Sequence, residues 1–267
     1  MKVGRLCHPR SHFVNKALKA LEAGTQQIYG LVINGEWVTD AQTIKQETFK
    51  FYHNKFREKW LVRSKLISSK FRTLDLNASN ELEAPFSLDE IKKAYWNLLH
   101  LDIFAFAKHF EQHGRFSPGC NLSFITLVLK LKDLLILGDF RPISLIGCMY
   151  KVIEKALANR LKLVIELNID QVQTAFVDGR NILDGPLIVN ELCSWAKKTK
   201  NQILLFKVDF DKAFNSINWG YLESIIIQMG YGDKWRRWIM GCLTSARASV
   251  QINGSPTKEF AMEKGVQ

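Results

Sequence analysis

The chain has 267 residues, a hydrophobic fraction of 47% and a formal net charge of +11. That apolar content supports a packed core and excludes a chain disordered throughout, and no stretch reaches the ~20 consecutive apolar residues of a membrane-spanning helix. The basic surplus, with a pI near 9.4, points to a polyanionic partner, nucleic acid or an anionic surface.

The surplus is uneven. Residues 1–75 hold 14 basic and 6 acidic residues, so most of the excess lies in the first third. Five cysteines stand at positions 7, 120, 148, 193 and 242, without a CxxC spacing. An odd, scattered set is expected to be free thiols in a reducing compartment. Cys7, His8 and His12 lack a fourth ligand and do not make a zinc site. The first residues carry no apolar core of a secretory signal, so an intracellular location, nucleus or cytoplasm, is expected.

In chain order, the spacing predicts a helix from Asn15 to about Gln27. The stretch 28–38, IYGLVINGEWV, places Asn34-Gly35 between apolar flanks and reads as a hairpin. Thr39 or Asp40 can cap a helix carrying Ile44, Phe49, Phe51, Tyr52 and Phe56. Residues 60–80 are polar and irregular, the expected linker. Ser87 followed by Glu90 forms a capping box, and Ile91, Ala94 and Tyr95 form the stripe behind it. Phe124 to Leu129 reads as a strand. Leu145 to about Leu167 is a helix with Met149, Val152, Ile153, Ala156, Leu157, Leu161 and Val164 on its apolar face and lysines 151, 155 and 162 off it. Ile182 to Ala196 is a second long helix, closed by Lys197, Lys198 and Lys200 at its negative end.

The run Ile203 to Val208 is apolar except for Lys207 and reads as a strand buried on both faces. It ends in Asp209, whose carboxylate is costly there unless paired or metal-bound. Leu222, Ile225, Ile226 and Met229 keep helical spacing up to Gly230. Asp233 can cap a helix that turns Trp235, Trp238, Ile239 and Cys242 inward, the tryptophans as core rather than as base-stacking platforms. Ala248, Val250 and Ile252 alternate up to a second hairpin signal at Asn253-Gly254.

Several stretches carry a family resemblance. KVDFDKAFNSINW, from Lys207 to Trp219, resembles the first metal-binding motif of reverse transcriptases from LINE-type (non-LTR) retrotransposons, in the form found in plants. Asp139-Phe140-Arg141-Pro142-Ile143-Ser144 and the run from Gln173 to Ile182 resemble two further motifs of that family, in the family's order. The resemblance is loose over 28–94 and close over 95–267. It departs from the family at Asn215, where a second aspartate is usual, and at Leu129 and Leu134, where prolines are usual. A Pro-Gly-Pro-Asp-Gly turn expected near residues 94–95 is missing, as after an internal deletion.

The resemblance implies an α+β fold, helix-rich with a small sheet. It would be a partial right-hand polymerase, the fingers plus the first part of the palm. Residues 1–80 are then a basic helical N-terminal or linker region, and 81–267 a partial reverse transcriptase domain. Asp209 is implied as the catalytic carboxylate and Mg2+ ligand. Lys130, Arg141, Phe210 and Phe214 are implied at the incoming deoxynucleoside triphosphate, with Phe214 under its sugar, and Arg180 at the template. An arginine fork and a lysine point charge suit phosphate oxygens. The implied partners are an RNA template and a DNA primer, with no membrane. The family's Gln-Gly-Asp-Pro and Ala-Asp-Asp motifs, which bring the remaining carboxylates, do not occur in these residues. This 267-residue chain is therefore expected to be inactive by itself. Alternatives are a nucleic-acid-binding remnant without chemistry, or half of a competent enzyme.

Overall fold

The fold was analysed in a computed structural model, which describes residues 28–59, 65–87, 89–90, 100–129, 136–210 and 213–266. The helix expected over 15–27, the stripe at Ile91, Ala94 and Tyr95, and Lys130 lie outside these residues. The described chain is a mixture of helices and sheet, and it separates into two units. One contains the described parts of Met1–Leu61, Phe116–Tyr150 and Cys242–Gln267. The other contains those of Val62–Arg115 and Lys151–Gly241.

The first unit opens with a hairpin, β1 (Leu31–Ile33) and β2 (Glu36–Val38), paired in register Leu31 to Val38. Asn34 and Gly35 both take positive φ, 54° and 88°, as the two-residue turn of a right-twisted ribbon requires. Helix α1 (Ala41–Phe56) follows. Asp40 caps it by accepting from the Thr43 amide at 2.7 Å and the Thr43 hydroxyl at 2.6 Å, and these bonds hold the Asp40 carboxyl below the usual carboxylate range. Ile44, Thr48, Tyr52 and Phe56 repeat every fourth residue and form its buried stripe.

That stripe lies on the main sheet of the unit. Its strands are β3 (Leu122–Leu129), β4 (Phe140–Ile146), β5 (Arg247–Ile252), β6 (Ser255–Pro256) and β7 (Phe260–Ala261). The order is β4-β3-β5-β6, with β7 also on β5. β3 pairs antiparallel with β4 and parallel with β5. A parallel pair needs a long crossover, and the chain between β3 and β5 includes the Lys151–Gly241 part of the second unit. Asn121 fixes where β5 begins. Its side-chain amide donates to Cys242 O at 2.7 Å and Ser245 Oγ at 2.9 Å, and its backbone carbonyl accepts from Arg247 N at 3.0 Å. Phe56 stacks on Phe260 at 6.3 Å, and Phe49 meets the same ring edge-on at 5.9 Å.

The second unit holds α2 (Leu76–Glu83), α3 (His100–His113), α4 (Cys148–Asn168, entered from the first unit), α5 (Asp184–Thr199), α6 (Trp219–Gln228) and α7 (Asp233–Thr244). Its centre is a cation among aromatic rings. Arg160 of α4, only 6% exposed, donates Nε and Nη2 to the two Glu90 carboxylate oxygens at 2.7 and 2.8 Å, and Nη1 to the Leu82 and Ala84 carbonyls. The guanidinium lies 4.2 Å from the Phe86 ring centre. Phe86 stacks on Trp238 at 5.4 Å, and Trp238 Nε1 donates to Glu111 O at 3.0 Å. Trp235 and Trp238 are thus core, as expected. At Gly241 of α7, an added Cβ would stand 1.6 Å from the Gly114 carbonyl, so only glycine permits this approach.

Several expectations hold. The 34–35 and 253–254 turns, the Asp40 cap, the strand over 124–129, the bond from Glu90 N to Ser87 Oγ at 3.1 Å and the helix up to the Gly230 stop all form. Others need correction. The linker over 60–80 contains the start of α2, capped by Asp75 through Ala78 N; its only buried residues are Ala78 and Leu82, too few for a periodic signal. The helix expected from Leu145 begins at Cys148, because 140–146 is committed to β4. Asp233 lies inside the first turn of α7 rather than capping it. The Glu83 carboxylate takes Trp235 N at 2.9 Å instead, a tertiary substitute for a local cap.

The largest correction concerns Ile203–Val208. Residues 201–210 are irregular and exposed, with Leu204 93% and Phe206 83% accessible. A strand exists only where a neighbour completes its ladder, and among the described residues none does.

Two stability predictions follow from these contacts. Arg160→Ala leaves Glu90 and two carbonyls without their donors, and is expected to lower unfolding free energy by about 3–5 kcal/mol. Arg160→Lys recovers little of it, since an ammonium cannot span both oxygens and both carbonyls; urea unfolding of the three proteins tests both statements. Tyr52 Oη is buried with no hydrogen-bond partner among the described residues, and burial pushes the phenol pKa up. Tyr52→Phe removes that orphan and is expected to raise the urea midpoint, by about 1 kcal/mol in stability. A lower midpoint would show that the hydroxyl has a partner.

Candidate functional site

The residues singled out above fall on both units. Arg141 is on β4 of the first unit, opposite Val128 in the ladder, with an exposed side chain. Its strand is set by the alternate pairing of Phe140 to Ile146 with β3, so the arginine's direction follows from register. Lys130 follows β3 and is outside the described residues.

Asp209, Phe210, Phe214 and Arg180 belong to the second unit. Asp209 and Phe210 end the irregular 201–210 segment, and the Phe210 ring is 73% exposed. Phe214 is in a short 3-10 turn, Ala213–Ser216, and is 55% exposed. Lys200 starts this region in a left-handed conformation, closing α5 through a bond from its amide to Ala196 O. Asn201 N also reaches Ala196 O, at 3.0 Å. The carboxylate of Asp209 thus sits on a surface segment, with Lys207 two residues before it, rather than at the end of a buried strand.

Arg180 is engaged locally. Its guanidinium donates to the carbonyls of Ile169, Asp170 and Gln173 at 3.1, 2.5 and 2.7 Å. These carbonyls lie in the turn that follows α4. Asp170 also pairs with Arg72 at 2.8 Å, and Lys162 with Asp178 at 3.3 Å. The loop from 169 to 183 is therefore pinned by its own arginine, with Phe176 at its tip exposed and at φ 66°.

A divalent ion bridging phosphates needs converging carboxylates. Among the described residues no group of three His, Cys, Asp or Glu side chains converges. Asp211 lies outside the described residues, and position 215 is an asparagine. The described donors do not fit a two-metal centre. No helix among the described residues is long and apolar enough to cross a membrane.

One feature of the second unit carried no signal in the sequence. Leu187, Ile188, Leu192 and Trp195 of α5 are each more than half exposed, and Ala196 is the only buried residue of that helix. Apolar periodicity on α5 marks a face suited to burial; it does not say whether these residues supply the cover.

Comparison with known proteins places the chain. The family described as "Reverse transcriptase (RNA-dependent DNA polymerase)" matches residues 128–267, just over half of the chain. The chain is 24% identical over 276 aligned residues to "Transposon TX1 uncharacterized 149 kDa protein" of Xenopus laevis, covering 94% of this chain and 21% of that protein. It is also 24% identical over 143 residues to "Retrovirus-related Pol polyprotein from type-1 retrotransposable element R2" of Popillia japonica, covering 53% of this chain and 20% of that one. The chain thus spans about a fifth of the length of the curated relatives it matches. The matched span holds β4 with Arg141, the loop pinned by Arg180, and the segment ending in Asp209, in the order that the motif resemblance requires. The chain belongs to the reverse transcriptase family and is a portion of a reverse transcriptase similar to those of non-LTR retrotransposons.

Proposed function

We propose that this chain supplies the fingers and the first part of the palm of an RNA-directed DNA polymerase that copies an RNA template from a DNA primer. The observation that carries the reading is order. Asp139 to Ser144, Gln173 to Ile182 and Val208 to Phe214 follow one another as in the family, all inside the matched span. In this reading Lys130 and Arg141 hold the triphosphate of the incoming nucleotide, Phe210 and Phe214 lie beside it, and Asp209 is one Mg2+ ligand. Arg180 acts on the template side and shapes the 169–183 loop, three of its N–H groups being donated to carbonyls there.

These 267 residues are not expected to polymerise unaided. Two divalent ions about 4 Å apart need more than one carboxylate to hold them against phosphate oxygens, and Asp209 supplies one. Primer extension on an RNA template with magnesium and deoxynucleotides is expected to give no product, and Asn215→Asp is not expected to change that. Fusion to the region that follows this one in a LINE-type relative is the positive test. An active chimera should lose extension on Asp209→Ala, and one that keeps it would remove Asp209 from the site. Extension by the unfused chain, abolished by Asp209→Ala, would show that the other carboxylates are within these residues.

Nucleic-acid affinity is expected apart from chemistry. A net charge of +11 should give weak, sequence-independent binding to RNA that falls steeply with salt as fewer counterions are released. A filter-binding salt series checks this, and binding insensitive to salt would show that the charge is not a nucleic-acid footprint. Arg180→Ala is expected to lower the melting temperature and open the 169–183 loop to protease. Weakened RNA binding with an unchanged melting temperature would instead make Arg180 a direct contact.

A further inference from the structure

Helix α3 ends in Lys108-His109-Phe110-Glu111-Gln112-His113, and Gly114 follows in the left-handed region at φ 64°. His109 and His113 are four residues apart, so they stand one above the other on the same helix face. Both are exposed, and their rings stack with centres 4.2 Å apart and planes 23° from parallel. His113 Nδ1 lies 2.8 Å from the His109 carbonyl oxygen. A carbonyl only accepts, so that nitrogen carries the hydrogen, and Nε2 of the neutral ring keeps its lone pair for another partner. A backbone carbonyl bonded to one ring nitrogen is how metal-bound histidines are oriented and their tautomer fixed.

Two imidazoles one helical turn apart can share one metal ion. With metal–nitrogen bonds of about 2.0–2.1 Å, the two nitrogens stand roughly 3.4 Å apart on a tetrahedral ion. Rings whose centres are 4.2 Å apart meet that spacing once their outer edges tilt slightly together, a movement open to exposed side chains. The carboxylate between them is committed elsewhere. Glu111 pairs with Lys108 at 3.0 Å and accepts from Phe86 N at 2.8 Å, so it is neither a third ligand nor a base beside the ion. A zinc-hydrolase helix places its glutamate directly after the first histidine, and here that position is Phe110, which is buried. The pair also lies at the C-terminal end of α3, where the helix favours positive charge.

We propose that His109 and His113 form a binding site for a divalent transition metal of the Zn2+, Ni2+ or Cu2+ class on the last turn of α3. Imidazole nitrogen suits these ions, whereas Mg2+ and Ca2+ take oxygen ligands, so the site is independent of the Mg2+ role proposed for Asp209. Among the described residues no third His, Cys, Asp or Glu converges on the pair, and water fills the remaining positions on the ion. Both ligands belong to one helix, so a bound ion ties its last turn together. That turn is the part of α3 that meets α7: Glu111 O accepts from Trp238 Nε1, and the Gly114 carbonyl lies against Gly241. An ion on the pair therefore steadies the contact between the two helices.

The test is calorimetric titration of the full 267-residue chain with Ni2+, beside its melting temperature with and without the ion. Saturable binding is expected, with a rise in melting temperature, since the ion prefers the folded helix to the unfolded chain. His109→Ala and His113→Ala are each expected to raise the Ni2+ dissociation constant about tenfold or more and to abolish the rise, with the metal-free melting temperature little changed. The double variant His8→Ala/His12→Ala removes the histidines nearest Cys7 and is expected to bind Ni2+ as the unaltered chain does. A second readout does not depend on stability. One equivalent of Cu2+ on the unaltered chain is expected to show the electron paramagnetic resonance splitting of two imidazole nitrogens, lost in either single variant. The proposal is overturned by the absence of saturable binding, or by binding that either single variant leaves unchanged. Loss of binding in the His8→Ala/His12→Ala variant overturns it equally, since the ion would then belong to the N-terminal residues.

Discussion

Arg160 is the contact on which the second unit depends. It is a buried cation, and a buried cation is tolerated only where its donors are met. Meeting them brings together Glu90, the last turn of α2 through Leu82 O, the residue after it through Ala84 O, and the rings of Phe86 and Trp238. Two pieces of chain far apart in sequence, residues 82–90 and Trp238, are held to α4 by one planar group. The arrangement is specific because the guanidinium fork has fixed directions, which a purely apolar cluster lacks. The parallel contact in the first unit is Asn121, whose amide and carbonyl set the start of β5 against β3.

Against these anchored cores, residues 201–210, where the resemblance to a metal motif begins, are exposed and unpaired among the described residues. The apolar content of 203–210 would normally be buried at roughly 1.5–3 kcal/mol per large side chain, and here it is left in solvent. The exposed stripe of α5 just before it makes the same point. Apolar surface on this scale marks an interaction site. The relatives are about five times longer than the matched region.

The family assignment and the chemistry therefore rest on different things. Membership follows from ordered motifs and from the match over 128–267. Turnover depends on carboxylates meeting at one point, which a motif order does not supply. Arg180 shows the difference on the scale of one residue. The motif resemblance implies a template role for it, and in the structure its guanidinium donates to three carbonyls of the 169–183 loop.

Local rules were legible in the residues. Asn34-Gly35 and Asn253-Gly254 demanded positive φ, Asp40 offered an N-cap, and the spacing of Val152, Ile153, Ala156, Leu157 and Val164 defined one face of α4. Each of these depends on neighbours within a few positions, so the chain by itself determined them. The family, too, was legible, because its motifs are short and contiguous. Whether 203–208 became a strand was not. A strand is a relation between two segments, and its backbone groups and apolar side chains need a partner that no local pattern contains. The same holds for Glu83 replacing Asp233 as the cap of α7 and for Arg160 closing on Glu90 seventy residues away. The sequence decided what each segment was able to do. The tertiary structure decided which partner each segment met, since burial and hydrogen-bond satisfaction are properties of contacts between distant residues.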